Sequence, residues 1–186
     1  MDMDNMMNEM GGAFMVAWLA GGMDDLGGAL VLAAAWMAIS GAHILPVITW
    51  GHIMTGDLGD TDAWTDNGSR LVAQMIGAIL ALMLVGEGSH TAAAAPDMWS
   101  FDLWATLTAV GAGALLWTVY DRCDAWVTAF VVMAMAGTLS LGGAADMGGA
   151  LIGGGDDMAA SALAWIMDGL WVGVGALVAT KVPDML

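Results

Sequence analysis

Residues 40 to 54 read Ser40-Gly41-Ala42-His43-Ile44-Leu45-Pro46-Val47-Ile48-Thr49-Trp50-Gly51-His52-Ile53-Met54, and they decide the fold because they fit no ordinary spanning helix. The stretch is apolar enough for a membrane interior, yet it contains Gly41 and Pro46 and follows the apolar run 26 to 39 with no polar break. It reads as a re-entrant loop, since non-helical backbone at membrane depth is tolerated only where protein buries it or where it lines a water-filled cavity. A second stretch, 142 to 153, Gly142-Gly143-Ala144-Ala145-Asp146-Met147-Gly148-Gly149-Ala150-Leu151-Ile152-Gly153, stands in the same relation to the run 125 to 141. A matched pair of such loops points to an inverted repeat built around a pore.

Around the two loops lie six apolar runs, roughly 10 to 22, 26 to 39, 71 to 86, 100 to 120, 125 to 141 and 159 to 180. They are apolar all round, where a soluble helix would carry a charged opposite face. A membrane helix needs about 20 residues; the last four runs reach or approach that length and the first two fall short. The prediction is an all-α membrane protein with the lipid bilayer as its partner.

Composition agrees. Of 186 residues 59% are hydrophobic and 12% charged, against roughly a quarter charged in an average globular domain, which excludes most soluble classes. A formal net charge of -16 with three basic side chains, Arg70, Arg122 and Lys181, excludes a nucleic-acid binder, because phosphates are neutralised by Lys and Arg. The single cysteine, Cys123, forms no intrachain disulfide. Seventeen of the nineteen acids are Asp and two are Glu, Glu9 and Glu87, a skew that fits a saline environment or a biased genome composition equally. The acidic start, Met1 to Met10, lacks the positive region of a cleavable signal peptide. With six crossings, both termini and the second and fourth connections share one side. The three basic residues fall there, and the positive-inside rule makes that side cytoplasmic.

Gly41-Ala42-His43-Ile44-Leu45-Pro46-Val47-Ile48-Thr49 after Ser40 resembles the first loop of the aquaporin and glycerol-facilitator family, the major intrinsic proteins, Ser-Gly-Ala-His-(Ile/Leu)-Asn-Pro-Ala-Val-Thr, with the signature triplet altered. Glu9-Met-Gly-Gly12-Ala-Phe14 is similar to that family's opening Glu-Phe-x-Gly-Thr-Phe, and Val72-Ala73-Gln74-Met-Ile-Gly77-Ala78 to its third-span Ala-Gln-x-x-Gly-Ala. Asp146-Met147-Gly148-Gly149-Ala150-Leu151 looks like the family's Asp-Leu-Gly-Pro-Ala-Leu, but the Met-Asn-Pro-Ala-Arg that normally precedes it is missing. Spacing within the chain agrees: Gly41 to Gly77 is 36 positions and the corresponding Gly143 to Gly173 is 30, so five more residues nearly restore equality. The resemblance covers nearly the whole chain, closest in 40 to 80 and weakest in 85 to 130.

The resemblance implies a single aquaporin-like domain over 1 to 186, a bundle of six transmembrane helices plus two re-entrant half-helices, with a first repeat of about 8 to 86 and a second of about 100 to 181. It implies a multi-pass homotetramer of the plasma membrane, with cytoplasmic termini, passing water or small neutral solutes passively. The implied pore and constriction residues are His43, Ile44, Leu45, Pro46 and Val47 in the first loop, Met135 in the fifth span, and Ala145 and Asp146 in the second loop. Glu9 and Gln74 brace the first loop, Glu9 by accepting backbone N–H bonds; the alternative for Glu9 is a solvated terminal acid. Its expected twin in span four falls near Thr106, which is no carboxylate.

In the family each loop's Asn caps its half-helix and donates to the file of water. Leu45 stands at the first such position and can do neither, although Pro46 suits a first helical turn. The second Asn and the filter Arg have no counterpart, the chain's asparagines being Asn5, Asn8 and Asn67. A narrow hydrogen-bonding water filter is therefore not expected, and Met135 gives a wider or greasier constriction. Span two is short relative to the family, so its filter position has no match.

Several residues carry two readings. Asp146 either caps a truncated second half-helix and places a carboxylate in the pore, or is a rim residue. Asp168, inside span six and next to Gly169-Leu-Trp-Val-Gly173, either lines the pore or sits protonated at a helix interface. His43 matches a family position whose carbonyl faces the path; nine residues from His52, it does not fit an i, i+4 metal pair. Asp57, Asp60, Asp62 and Asp66 lack the EF-hand order and read as a solvated loop. The Met and Asp alternation at the start reads as a disordered terminus. No catalytic motif is present, so neither an enzyme nor a cofactor is expected. Beside the channel stand a non-conducting structural or interaction protein, favoured by Leu45, Val47 and the missing Asn-Pro-Ala-Arg, and a remote metal centre of His43, His52 and His90.

Overall fold

The computed structural model describes residues 3–20, 23–85, 101–153 and 158–182. Glu87 and His90 lie outside the described residues. Among those described there are eight helices and no strand: α1 (Met3–Leu19), α2 (Leu26–Ala38), α3 (Pro46–Thr55), α4 (Thr61–Val85), α5 (Leu103–Arg122), α6 (Ala125–Ala136), α7 (Ala144–Gly153) and α8 (Met158–Lys181). The protein is all-α. Three helices, α4, α5 and α8, are long and apolar enough to cross a membrane, with mean hydropathies of 1.8, 1.4 and 1.7 over their most apolar windows.

Aspartates start the helices. Asp25 accepts from Gly28 N at 2.7 Å ahead of α2, and Asp102 from Ala105 N at 2.8 Å ahead of α5. Asp60 accepts from Asp62 N at 2.9 Å and Ala63 N at 3.2 Å at the start of α4. Each carboxylate pairs an N–H that a helix start leaves without a partner. The acidic skew is thus partly a capping supply, and of the four acids expected in a solvated loop, Asp62 and Asp66 belong to α4 itself.

Three expectations are corrected. From Met3 on, the start of the chain is no disordered tail, because helix α1 already runs there, with Asp4 in the first turn, where a negative charge favours the helix dipole. The fifth apolar run forms a helix of only 12 residues, α6. It stops because Gly137 ends it and the N–H groups of Thr138 and Leu139 both turn back to the Met135 carbonyl, at 2.9 and 2.8 Å. Arg70 lies in no connection: α4 begins at Thr61, nearly three turns before the expected start at 71, and takes Arg70 into the bundle.

The helices pack in pairs that repeat. α1 lies along α4 and α5 along α8; α2 touches α1 and α6 touches α5; α3 packs on α4 and α8, and α7 on the same two; α2 and α6 pack on each other. Exchanging α1–α4 for α5–α8 returns each of these pairings, while a lighter contact of α3 with α5 has no equal in the other half. Two close approaches match too, although that of Gly113 to the Val172 carbonyl has no counterpart in the first half. The α-carbon of Gly77 in α4 leaves no room for a side chain against the Met10 carbonyl of α1, and that of Gly175 in α8 none against the Val110 carbonyl of α5. Glycine permits backbones to meet this closely. A buried apolar cluster that includes Leu32, Val47, Ile48, Leu116, Val132 and Met135 draws on α2, α3, α5 and α6.

Candidate functional site: the braced bend ahead of α3

Between α2 and α3 the chain bends through residues 39 to 45, where bonds within the bend are joined by partners from α1, α2, α3 and α4. Gly41 takes φ +79°, open to glycine without strain. Ile44 takes φ +65°, which is costly for a β-branched residue. The Leu45 N–H closes a three-residue turn onto the His43 carbonyl at 2.7 Å, the φ-positive γ-turn geometry. Pro46 then opens α3, while Leu45 at the N-cap makes no side-chain cap bond.

The strain at Ile44 is held from α1. Glu9, fully buried, accepts from His43 N at 2.7 Å through Oε1 and from Ile44 N at 2.8 Å through Oε2. Its Oε2 also accepts from Gln74 Nε2 at 2.8 Å, and its Oε1 pairs with the Arg70 guanidinium. Arg70 donates further to the Gly41 carbonyl at 3.2 Å, so one cation ties α1 to the bend. Gln74 Nε2 reaches Thr49 Oγ1 at 2.9 Å, and Thr49 Oγ1 lies 3.1 Å from His43 Nδ1. The Ile44 side chain fills the space above Gly12, where a Cβ would stand 2.6 Å from Ile44 Cγ1.

The His43 ring stacks on His52, ring centres 4.0 Å apart and planes 2° from parallel. Nine residues of sequence are spanned because the bend precedes the helix that carries His52. Ring nitrogens bind an ion in the ring plane, so two parallel planes at this separation cannot share one metal. Trp117 and Tyr120 of α5 meet His52 edge-on, at 5.0 and 5.9 Å. The His43 carbonyl accepts a second bond, from the indole of Trp36 at 3.0 Å.

The second short helix has a plainer entry. Gly142 takes φ +59°, with one residue, Gly143, between it and α7. Asp146 sits in the first turn of α7, and its Oδ2 accepts from Gly143 N at 3.2 Å, the backward half of a capping box. It is exposed, as is Ala145. The Trp165 indole donates to the Gly143 carbonyl at 3.1 Å, and Asp168 accepts from the Ser140 hydroxyl.

The structure therefore gathers Glu9, Gln74, His43 and Ile44 at one bend, with Leu45, Pro46 and Val47 continuing into α3. Ala145 and Asp146 stand apart at α7. Met135 is buried in the apolar cluster and is 8% exposed. Sequence reasoning missed Arg70, Thr49 and Trp36. Arg70 and Gln74 are four apart on one helix and so share a face, a signal that was present. The contacts of Thr49 and Trp36 depend on the bend and carry none.

Compared with known proteins, the chain matches no protein-family model and none of the curated proteins.

Proposed function

We propose that the protein is a passive membrane channel for water or small neutral solutes, built as an aquaporin-like inverted repeat of six transmembrane helices and two re-entrant half-helices, α3 and α7. The observation that carries this reading is the pairing pattern: two ten-residue helices, each entered through a φ-positive glycine, share α4 and α8 as neighbours, and all the main pairings, though not the lighter one of α3 with α5, repeat when the two halves are exchanged. Short helices held inside a bundle with their starts bent back on non-helical backbone are how membrane proteins line a polar path. In this reading the first half is about 8 to 86 and the second about 100 to 181, the assembly is a homotetramer in the plasma membrane, and both termini are cytoplasmic.

The repeat also accounts for the uneven bends. Gly41 and Gly77 are 36 positions apart, and the landmarks that match them, Gly142 and Gly175, are 33 apart. The difference lies in the turn: four residues separate Gly41 from α3 and one separates Gly142 from α7. The three positions without a counterpart are those of His43, Ile44 and Leu45. Two of them are the residues whose N–H groups Glu9 holds, so the second half has nothing for a matching carboxylate to brace. Laying Val110 on Met10 puts Ala109 opposite Glu9, and an alanine serves there.

One observation favours a second reading, a non-conducting structural membrane protein of the same architecture: Leu45 offers no polar group at the start of α3, and Trp36 occupies the His43 carbonyl. Osmotic swelling of reconstituted vesicles separates the two. Swelling faster than empty liposomes supports the channel; equal rates with folded protein support the structural reading.

A further inference from the structure

A cavity of about 260 Å³ opens where α2 and α5 end and α6 begins, with Trp36, Gly41, Ala42, Tyr120, Cys123 and Thr128 in its wall. It has room for several molecules of the size of water, each of which takes about 30 Å³ in the liquid. Part of the wall is backbone of the braced bend, at Gly41 and Ala42, next in the chain to His43. Trp36 belongs to both places at once. Its ring lines the cavity, while its indole N–H covers the His43 carbonyl at 3.0 Å. The same ring leans on Tyr120, centres 6.1 Å apart, and Tyr120 continues as an aromatic wall to His52 and Trp117, at 5.9 and 5.5 Å. A backbone carbonyl at membrane depth is the group that a water or a solute hydroxyl would bind, and here a half-buried side chain, with one hydrogen bond, one tilted ring contact and one flank against the apolar cluster, sits in that place.

We propose that this cavity is one mouth of the permeation path and that Trp36 determines which uncharged hydroxylated solutes pass, by competing with them for the His43 carbonyl and by its bulk. This rests on the channel reading. A solute that replaces the indole regains the hydrogen bond the indole gives up, so small hydroxylated molecules pass once the ring swings aside, while apolar solutes gain nothing from the exchange. Hydrophobic and aromatic constrictions of this kind gate by bulk and by the polar partners they leave exposed.

Cys123 supplies the probe, being the chain's one cysteine and exposed on the cavity wall. The protein is labelled in detergent with a bulky charged methanethiosulfonate, checked by mass, reconstituted, and assayed for water and glycerol flux beside Cys123→Ser put through the same treatment. Labelling is expected to remove most of the wild-type flux, whereas the same treatment leaves the Cys123→Ser flux as it was beforehand. Trp36→Ala, and Trp36→Phe as the variant that keeps the ring and loses the N–H, are expected to raise glycerol flux several-fold more than water flux. Wild-type flux untouched by full labelling, or an unchanged glycerol-to-water ratio in Trp36→Phe, overturns the proposal and leaves the channel reading in place. Conduction by Trp36→Ala but not by wild type supports it, as a path closed at Trp36. No flux from any folded variant overturns it together with the channel reading.

Discussion

Glu9 and Ile44 are joined twice, once by a hydrogen bond and once by shape. The Glu9 carboxylate accepts the Ile44 N–H at 2.8 Å, and one turn along the same helix Gly12 leaves the space that the Ile44 side chain fills. A β-branched residue at φ +65° persists because α1 supplies both contacts.

Removing the carboxylate therefore costs more than one hydrogen bond. Glu9→Ala leaves two buried N–H groups and the Arg70 guanidinium without their acceptor, and breaking a buried pair by removing one partner costs about 3–5 kcal/mol. Glu9→Gln keeps one acceptor oxygen and is expected to lose about half as much, since a hydrogen bond to a charged group is worth about 1.5–3 kcal/mol. Unfolding in detergent, followed through the ten tryptophans, should rank wild type above Glu9→Gln above Glu9→Ala.

Arg70→Ala should be the milder lesion. Glu9 keeps three other donors, from His43, Ile44 and Gln74, and the Arg70 side chain is 17% exposed, so part of the pair's energy is already screened. The same unfolding measurement should place Arg70→Ala between wild type and Glu9→Ala. An order in which it falls below Glu9→Ala would show that the Gly41 carbonyl contact matters more than the pair.

Gly12→Ala drives a methyl against Ile44, and overpacking of this kind costs about 1–3 kcal/mol. In an Ile44→Ala background the obstructing atoms are gone, so the second substitution should cost little. A double-mutant cycle should give a coupling of at least about 0.5 kcal/mol; additive losses would mean that the two helices shift apart freely.

Leu45→Asn supplies the missing side-chain cap of α3. A good N-cap is worth about 0.5–2 kcal/mol, and losing a partly buried leucine offsets most of it, so stability should stay close to wild type. Water flux in swelling assays should rise, because the new amide adds a polar group at the start of α3. Unchanged flux with unchanged stability would place Leu45 away from the path.

The all-α, membrane-type character was legible because it is written in composition and in apolar runs, and both short helices were visible as apolar stretches that break the spanning pattern. Lengths were less legible. Apolarity continues from α6 into Gly137-Thr138-Leu139, and only the return of two N–H groups to Met135 shows where the helix stops. Arg70 was read as a loop charge because polar residues precede it, yet its four-residue spacing from Gln74 held the better reading. The shortfall ahead of α7 was read as five residues, with Thr106 opposite Glu9; in the proposed repeat, alignment on φ-positive glycines and close backbone contacts, which no residue type announces, gives three and Ala109. The stack of His43 on His52 depends on a bend stabilised from a distant helix, so local spacing could not reveal it.

The brevity of α2 and α6 reaches beyond the protein itself. At 1.5 Å per residue, helices of 13 and 12 residues rise only about 20 and 18 Å, well short of the roughly 30 Å of hydrocarbon in an ordinary bilayer. They lie against each other, and Leu30, Met37, Trp126 and Phe130 point their apolar surface outward. In the architecture proposed above, acyl chains beside that flank compress to meet it, at a fraction of a kcal/mol for each ångström of mismatch. If the proposed six-span architecture holds, the molecule is thereby tuned to thin membranes, and lipids with shorter tails should gather around this side of it.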